Sequence, residues 1–479
     1  MSKKIFNRRE ILELGIRAGA TTLIGANFLP NIAKGKNLRN SIREFNVMNY
    51  GAVGDGITND TDAVQRAINE AALAGGGAKV IIPGDKKFMI GTIELKSHID
   101  FHLADNSELI ISTKREDYGV NPAVITARDT EGLTISGSGY INGQSLEFMT
   151  HYDEENEWWR PKEWRPRMFQ LYTCYDLEVK DISFGNAPLW GLHMIGCEQV
   201  LVDNIRVNNI LDLPNCDGIN PDHCRNVEIK NCHIKCGDDA IVIKATRQTE
   251  DYGPSSNIYV HDCILETQDS AVKIGTETTQ DIHDITFERC QVRQCCRGCT
   301  IQLRDEGSVY NVEFKDINFK SRYFSAPWWG RGEAISFTAI PRSENSTIGK
   351  IHDIKVSNIV AHTENSVRIN GTDESRISDI EFENVHMTMN KETKYPGGLF
   401  DNRPTTKYDD IEIHGNPGYS IRHADNIRLN NCSIHWGENR PDYYTHALEA
   451  KNVSGLRLNN FNGQSAHSDK YDALSFNNS

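Results

Sequence analysis

Ten times along the chain one eight-residue pattern recurs, apolar-x-apolar-x-Asn/Asp-apolar-x-apolar, beginning at Leu177, Val200, Val227, Ile258, Ile285, Val312, Ile354, Ile380, Ile427 and Leu456. The first, third and sixth positions are apolar in every copy. The fifth is Asn or Asp in nine (Asp181, Asn204, Asn231, Asp262, Asp316, Asn358, Asn384, Asn431 and Asn460), and Arg289 stands in the other. Period-two alternation predicts strands. The Asn/Asp between two apolar pairs marks a bend, because Asn tolerates left-handed backbone and bonds its own turn. Copies lie about 27 residues apart, apart from gaps of 42 and 47 that hold insertions. Units of this length bury their apolar faces only by stacking. A leucine-rich repeat would carry Leu at fixed offsets, whereas this apolar set is Val, Ile, Phe and Cys. The pattern predicts an all-β right-handed parallel β-helix, one solenoid over residues 43–470.

A solenoid must cover its open ends, since bare strand edges pair with other chains. Residues 59–74 fit that role as a capping helix. Asn59, Asp60 and Thr61 offer N-cap oxygens, Val64, Ala67, Ile68, Ala71 and Ala72 share one face, and Gly75-Gly76-Gly77 ends the helix. Residues 1–35 read separately, as Lys3, Lys4, the pair Arg8 and Arg9, then a mildly apolar run to Leu29 and Pro30. This predicts a twin-arginine export signal and a periplasmic or secreted protein. The alternative is a short amphipathic helix carrying Glu13 and Arg17.

Composition narrows the classes further. The net charge of −14 argues against nonspecific nucleic-acid binding, which draws its affinity from Lys and Arg on phosphates. No stretch approaches the roughly 20 apolar residues of a membrane span. The 42 asparagines repeat the bend signal. Cys232, Cys263, Cys290 and Cys432 fall at the core-facing sixth position of the repeat, as a ladder of small apolar side chains. Cys296 and Cys299, without a second pair, make a weak zinc signal, so no metal is expected; a disulfide among Cys295, Cys296 and Cys299 is open. Trp158-Trp159 and Trp328-Trp329 are adjacent pairs, of which a strand can turn only one member inward, and indole faces suit sugar rings.

Acidic chemistry gathers in Asn215-Cys216-Asp217-Gly218-Ile219-Asn220-Pro221-Asp222 and Gly237-Asp238-Asp239-Ala240. Asp217 and Asp238 are close to one repeat apart, which sets them on neighbouring rungs. Both Asp238 and Asp239 reach solvent only at a bend, and Gly237 offers one. Three carboxyls so close repel one another, so one should keep its proton near neutral pH. That is what an inverting glycosidase uses: an acid for the leaving oxygen and a base for water, with carboxyls roughly 6.5–9.5 Å apart. Singly, each Asp is also an ordinary turn former.

These motifs resemble those of glycoside hydrolase family 28, the polygalacturonase-like enzymes of pectin-lyase-like β-helix fold. The likeness is strongest from Asn186-Ala187-Pro188-Leu189-Trp190 to Lys244, and the segment from Phe45 to Gly77 is similar to the start of many pectin-degrading β-helices. The family's Asn-Thr-Asp appears as Asn215-Cys216-Asp217, and its Asp-Asp as Asp238-Asp239. The resemblance implies Asp238 as general acid, Asp217 and Asp239 as activators of water, a polysaccharide or oligosaccharide substrate, and no metal or organic cofactor. Two family motifs are missing. Gly-His-Gly is replaced by Asp269-Ser270-Ala271, and Arg-Ile-Lys by Thr300-Ile301-Gln302. Lys244, Lys273 and Arg304 are the candidate replacements for the lost sugar-carboxylate grip, with Trp190, Asn215, Asn220, Trp328 and Trp329 as further substrate contacts. Without replacement, the loss leaves room for a sugar that carries no carboxylate. The Trp328-Trp329 insertion and the tail after Met389, including Asp401-Asn402-Arg403-Pro404 and His435-Trp436-Gly437-Glu438, suggest a walled cleft and exo-action. A polysaccharide lyase using Lys244 or Lys273 as base, and a non-catalytic carbohydrate-binding β-helix, are the competing readings.

Overall fold

A computed structural model describes residues 43–477; the export signal expected over 1–35 lies outside the described residues. Each turn of the chain runs along three faces, as separate short strands in the earlier turns and with two faces joined in one long strand in later ones such as Val309–Ser321 and Ile351–Thr363. Equivalent segments of successive turns pair in parallel along a right-handed β-helix. The repeat is the ladder itself. Leu177, Val200, Val227, Ile258, Ile285, Val312, Ile354, Ile380 and Ile427 are register partners from rung to rung, and all are buried in one continuous core.

The bend position behaves as its chemistry requires. All ten fifth-position residues have φ between 50° and 65°, Arg289 included. Their side chains also bond along the axis: Asn384 Nδ2 donates to Asn358 Oδ1 at 2.9 Å and Asn431 Nδ2 to Asn384 Oδ1 at 2.8 Å. Arg289 keeps the same contact by donating from Nε to Asp262 Oδ1 at 2.8 Å. A second left-handed column stands immediately before the repeat, at Asp176, Gln199, Asn226, Asn257, Asp284, Asn311, Asp353, Asp379, Asn426 and Gly455. The chain therefore turns sharply on both sides of each first-sheet strand, and the asparagine excess serves two corners.

Helix α1, Thr61–Leu73, buries Ala63, Val64, Ala67, Ile68 and Ala71 against the first strands, Glu44–Asn46 and Ala78–Ile82. Asp60 is its N-cap residue, yet its carboxylate accepts from Val53 N and Gly54 N at 2.7 and 3.0 Å. Asn59 Oδ1 takes Thr61 N at 3.0 Å. All twelve cysteines are buried free thiols, so the open question of a disulfide among Cys295, Cys296 and Cys299 closes on none. Besides the ladder of Cys232, Cys263 and Cys290, the thiols of Cys174, Cys197 and Cys224 adjoin on successive rungs.

Candidate active site

The chemistry sits at the corner between the second and third sheets. Strand His233–Cys236 ends the second sheet of its rung, residues 237–240 bend, and Ile241–Ala245 opens the third. Ile241 and Ile243 turn into the core, and Lys244 turns out. Ile219, Ile241, Val272, Cys299 and Ile335 are register partners on consecutive rungs. Counting back two residues from each puts Asp217, Asp239, Ser270, Arg297 and Glu333 in one column. Counting back three puts Cys216, Asp238, Asp269 and Cys296 in the next. Asp217 is thus the rung mate of Asp239, not of Asp238, and the bonds from Gly218 N to Asp239 O and from Ala240 N to Ser270 O, both 2.9 Å, carry the ladder through the bend. Gly218 is required here, because a Cβ on it would meet Ala240 O at 2.3 Å.

Oxygens of Asp217, Asp238 and Asp239 lie within 4.8 Å of one another, closer than the separation expected from the sequence. A water about 2.8 Å from two oxygens at that limit subtends roughly 118°, near its natural angle, so the tight spacing suits two carboxylates sharing one water. The spacing is also within reach of a hard divalent cation; the positive charge that the chain itself supplies is Lys273, whose Nζ stands 2.7 Å from Asp239 Oδ2 with both side chains almost fully buried. Asp217 is buried and accepts from Asn220 Nδ2 at 2.7 Å. Asp238 is half-buried and accepts from Asn215 N at 3.0 Å and from Asp239 N at 2.9 Å. Burial, with repulsion from Asp217 and Asp239, pushes Asp238 up to about 7. Burial and Asp239 outweigh the pull of Lys244 and carry Asp217 to about 7 as well.

The carboxyls open into a cleft of about 300 Å³ lined also by Trp158, Pro161, Trp190, Pro214, Asn215, Lys244, Asp269, Lys273, Thr276, Glu277, Pro327, Trp328 and Trp329. Lys244 Nζ sits 4.9 Å from the Trp190 ring centre and 2.9 Å from Glu277 Oε2. Although burial opposes it, Lys244 holds Glu277 down to about 2.

Of the residues expected from the sequence, the structure gathers Asp217, Asp238, Asp239, Trp190, Asn215, Lys244, Lys273, Trp328 and Trp329 in this cleft. Two fall outside it. Asn220 is fully buried and holds Asp217 instead of facing the cavity. Arg304 is fully buried beneath the loop after Asp401, donating from Nη2 to Asn402 O and Arg403 O, both at 3.2 Å. The same loop leaves Thr300 and Gln302, at the lost basic positions, without exposure. His435 to Glu438 also stand apart from the cleft, and Trp436 donates from Nε1 to Gln464 O at 2.7 Å.

The sequence reading did not single out Asp269, Glu277 or Thr276. Asp269 was within reach, because it follows Asp238 by 31 residues, the spacing from Val227 to Ile258. Burial, with repulsion from Asp239, pushes it up to about 7. The buried pair of His193 and Asp222 behind Trp190, joined by the half-buried Thr246, was not legible either; His193 Nε2 is 3.0 Å from Asp222 Oδ2.

On this parallel β-helix, three carboxyls converge in an aromatic-walled cleft. Residues 75–396, more than half of the chain, match the model of the glycosyl hydrolases family 28, and the chain belongs to that family. A probable polygalacturonase of Arabidopsis thaliana is 27% identical over 276 residues, which are 56% of this chain and 57% of that protein. The chain thus spans little more than half the length of that relative. Among solved structures, the family 28 exopolygalacturonase of Yersinia enterocolitica superposes with a TM-score of 0.65 at 18% identity, covering 87% of this chain and 78% of its own. The exopolygalacturonase of Thermotoga maritima gives 0.64 at 22% identity, with 82% and 93% covered.

Proposed function

We propose that the protein is a glycoside hydrolase that cleaves a pectic polysaccharide or oligosaccharide with inversion and acts from a chain end. The observation that carries this reading is the pairing, in one cleft, of a half-buried carboxyl that burial and its neighbours push up to about 7, Asp238, with a buried carboxylate neutralised by Lys273, Asp239. Asp238 protonates the leaving oxygen. Asp239 takes a proton from the attacking water, and Asp217, held by Asn220, orients it. Neither an organic cofactor nor a metal is needed for those steps. Replacing Asp238 with Asn should abolish reducing-sugar release; unchanged release across pectic and neutral glycans would sink the proposal. Proton NMR of the first-formed anomer tests inversion, and retention of configuration would remove the water-activating roles.

Support for exo-action comes from three insertions that meet over the cleft. Trp158, from the hairpin Met149–Asp153 and Trp158–Pro161, packs edge-on to Trp328 with centroids 6.1 Å apart. Ser325 Oγ bonds Asn156 O, Tyr395 bonds Glu157, and Arg403 Nη2 reaches Trp328 O at 2.8 Å. The lyase reading is weakened because Lys244 and Lys273 each hold a carboxylate and neither is a free base; an unsaturated product absorbing in the near ultraviolet would restore it. We also propose export through residues 1–35 to the periplasm or beyond. No helix among the described residues is long and apolar enough to cross a membrane, and twelve buried thiols fit a chain that folds in a reducing compartment before export.

A further inference from the structure

The charges along the cleft are not those of a site built for a run of uronates. Its two lysines are each spent on a buried or half-buried carboxylate, at 2.7 and 2.9 Å, and five acidic side chains share the walls with them. Its other walls are largely the uncharged rings of Trp158, Trp190, Trp328 and Trp329. Beyond Glu277 the surface continues into a hollow of about 700 Å³, but its arginines are also engaged, Arg247 with Glu306 and Arg342 with Asp305, both at 2.7 Å.

Against Trp190, among the described residues, stands a guanidinium with no such partner. Arg167 starts strand Arg167–Tyr172 two residues before Phe169, which is the register partner of Leu192, itself the partner of Ile219. Arg167 and Trp190 therefore continue, one rung at a time, the column that holds Asp217 and Asp239. The Arg167 side chain makes no hydrogen bond or ion pair among the described residues, its Nε is buried without a partner, and its guanidinium lies 5.0 Å from the Trp190 ring centre. On the other side of the carboxylates the Asp401–Pro404 loop covers the rung of Thr300 and Gln302.

We propose that the cleft reads a mixed substrate: an uncharged sugar against the carboxylates, joined to a uronate whose carboxylate is held by Arg167 on the amino-terminal side of Trp190. This rests on reading the cleft as a glycosidase site. Rung spacing of about 4.8 Å puts Arg167 roughly 10 Å from Asp217 along the axis, far enough for the next sugar and not the one being cut. A guanidinium and a carboxylate match as a two-bond fork, and the stacked indole limits hydration of both.

The test compares two disaccharides, a neutral sugar joined to galacturonate and the same compound with its carboxyl reduced to the alcohol. Binding to the full-length Asp238→Asn protein is measured by calorimetry, and hydrolysis by the unmutated enzyme is followed in parallel. Reducing the carboxyl should weaken binding about 10- to 100-fold. Arg167→Met should cause the same loss for the acid and almost none for the alcohol, while Arg167→Lys should recover part of it. Equal losses for both ligands would assign Arg167 a packing role only and overturn the proposal, as would tighter binding of digalacturonate than of the mixed disaccharide. If this binding pattern appears without hydrolysis, the charge reading stands and the hydrolase reading fails; hydrolysis indifferent to the carboxyl and to Arg167 gives the reverse.

Discussion

Removing Lys273 isolates the electrostatics of the site. In Lys273→Met the stem keeps its volume, while Asp239 is left buried with Oδ2 unpaired and Oδ1 already without a partner. Breaking a buried ion pair from one side costs about 3–5 kcal/mol. The near-complete burial of both groups, 4% and 3% exposed, argues for the upper half of that range at pH 7. The assay is chemical denaturation followed by tryptophan fluorescence. Two controls give it direction. At pH 4 the penalty should shrink, because the stranded carboxyl escapes by taking a proton. The double variant Lys273→Met/Asp239→Asn should regain most of the stability, since an uncharged pair is much cheaper to bury, yet stay inactive for want of its base. A single-variant cost below about 1 kcal/mol, or a double variant no more stable than the single, would refute the view that the two side chains form a buried ion pair.

Asp269→Asn should alter the pH dependence of stability. Burial raises Asp269 to about 7 against roughly 3.9 in an unfolded chain, so the native state binds the extra proton between those values and loses stability as pH rises through them. The variant should therefore gain about 1–3 kcal/mol relative to the unmutated protein between pH 4.5 and pH 8, read from denaturation midpoints; a pH-independent difference contradicts the assignment. Asn384→Ala loses two ladder bonds and leaves φ of 55° on a residue without the short polar side chain that lets Asn adopt left-handed backbone. It should cost about 1–3 kcal/mol, and Asn384→Gly should recover the backbone share. Trp328→Ala opens the wall shared with Trp158 and should shift products from a single terminal sugar toward mixed oligomers, as seen by chromatography; an unchanged product pattern would detach the wall from exo-action.

Much of this molecule is legible without coordinates because a solenoid is nearly one-dimensional. Each rung contacts only its neighbours, so the periodicity from Leu177 to Leu456 fixes the strands, the core and the corner, and the corner at residue 237 follows from where a rung must bend. The carboxyl triad is legible for the same reason, since residues one repeat apart become neighbours. Spacing alone, however, paired Asp217 with Asp238, whereas the register partner is Asp239; the bend differs by a residue, and only the hydrogen-bonded ladder settles which side chains stack. The second corner ahead of each repeat also went unread, because Asp, Asn, Gln and Gly share it and no single residue type marks it.

What the tertiary structure alone decided is how charge is spent. Lys244, Lys273 and Arg304 have equal standing in the sequence as basic residues on successive rungs. In the fold Lys273 neutralises Asp239, Lys244 neutralises Glu277, and Arg304 disappears under a loop contributed from a hundred residues further on. The insertions that build the wall are long-range contacts with no periodicity to betray them. Repetition encodes neighbours along the axis, and everything that reaches across it depends on burial and on which partner arrives within hydrogen-bond distance.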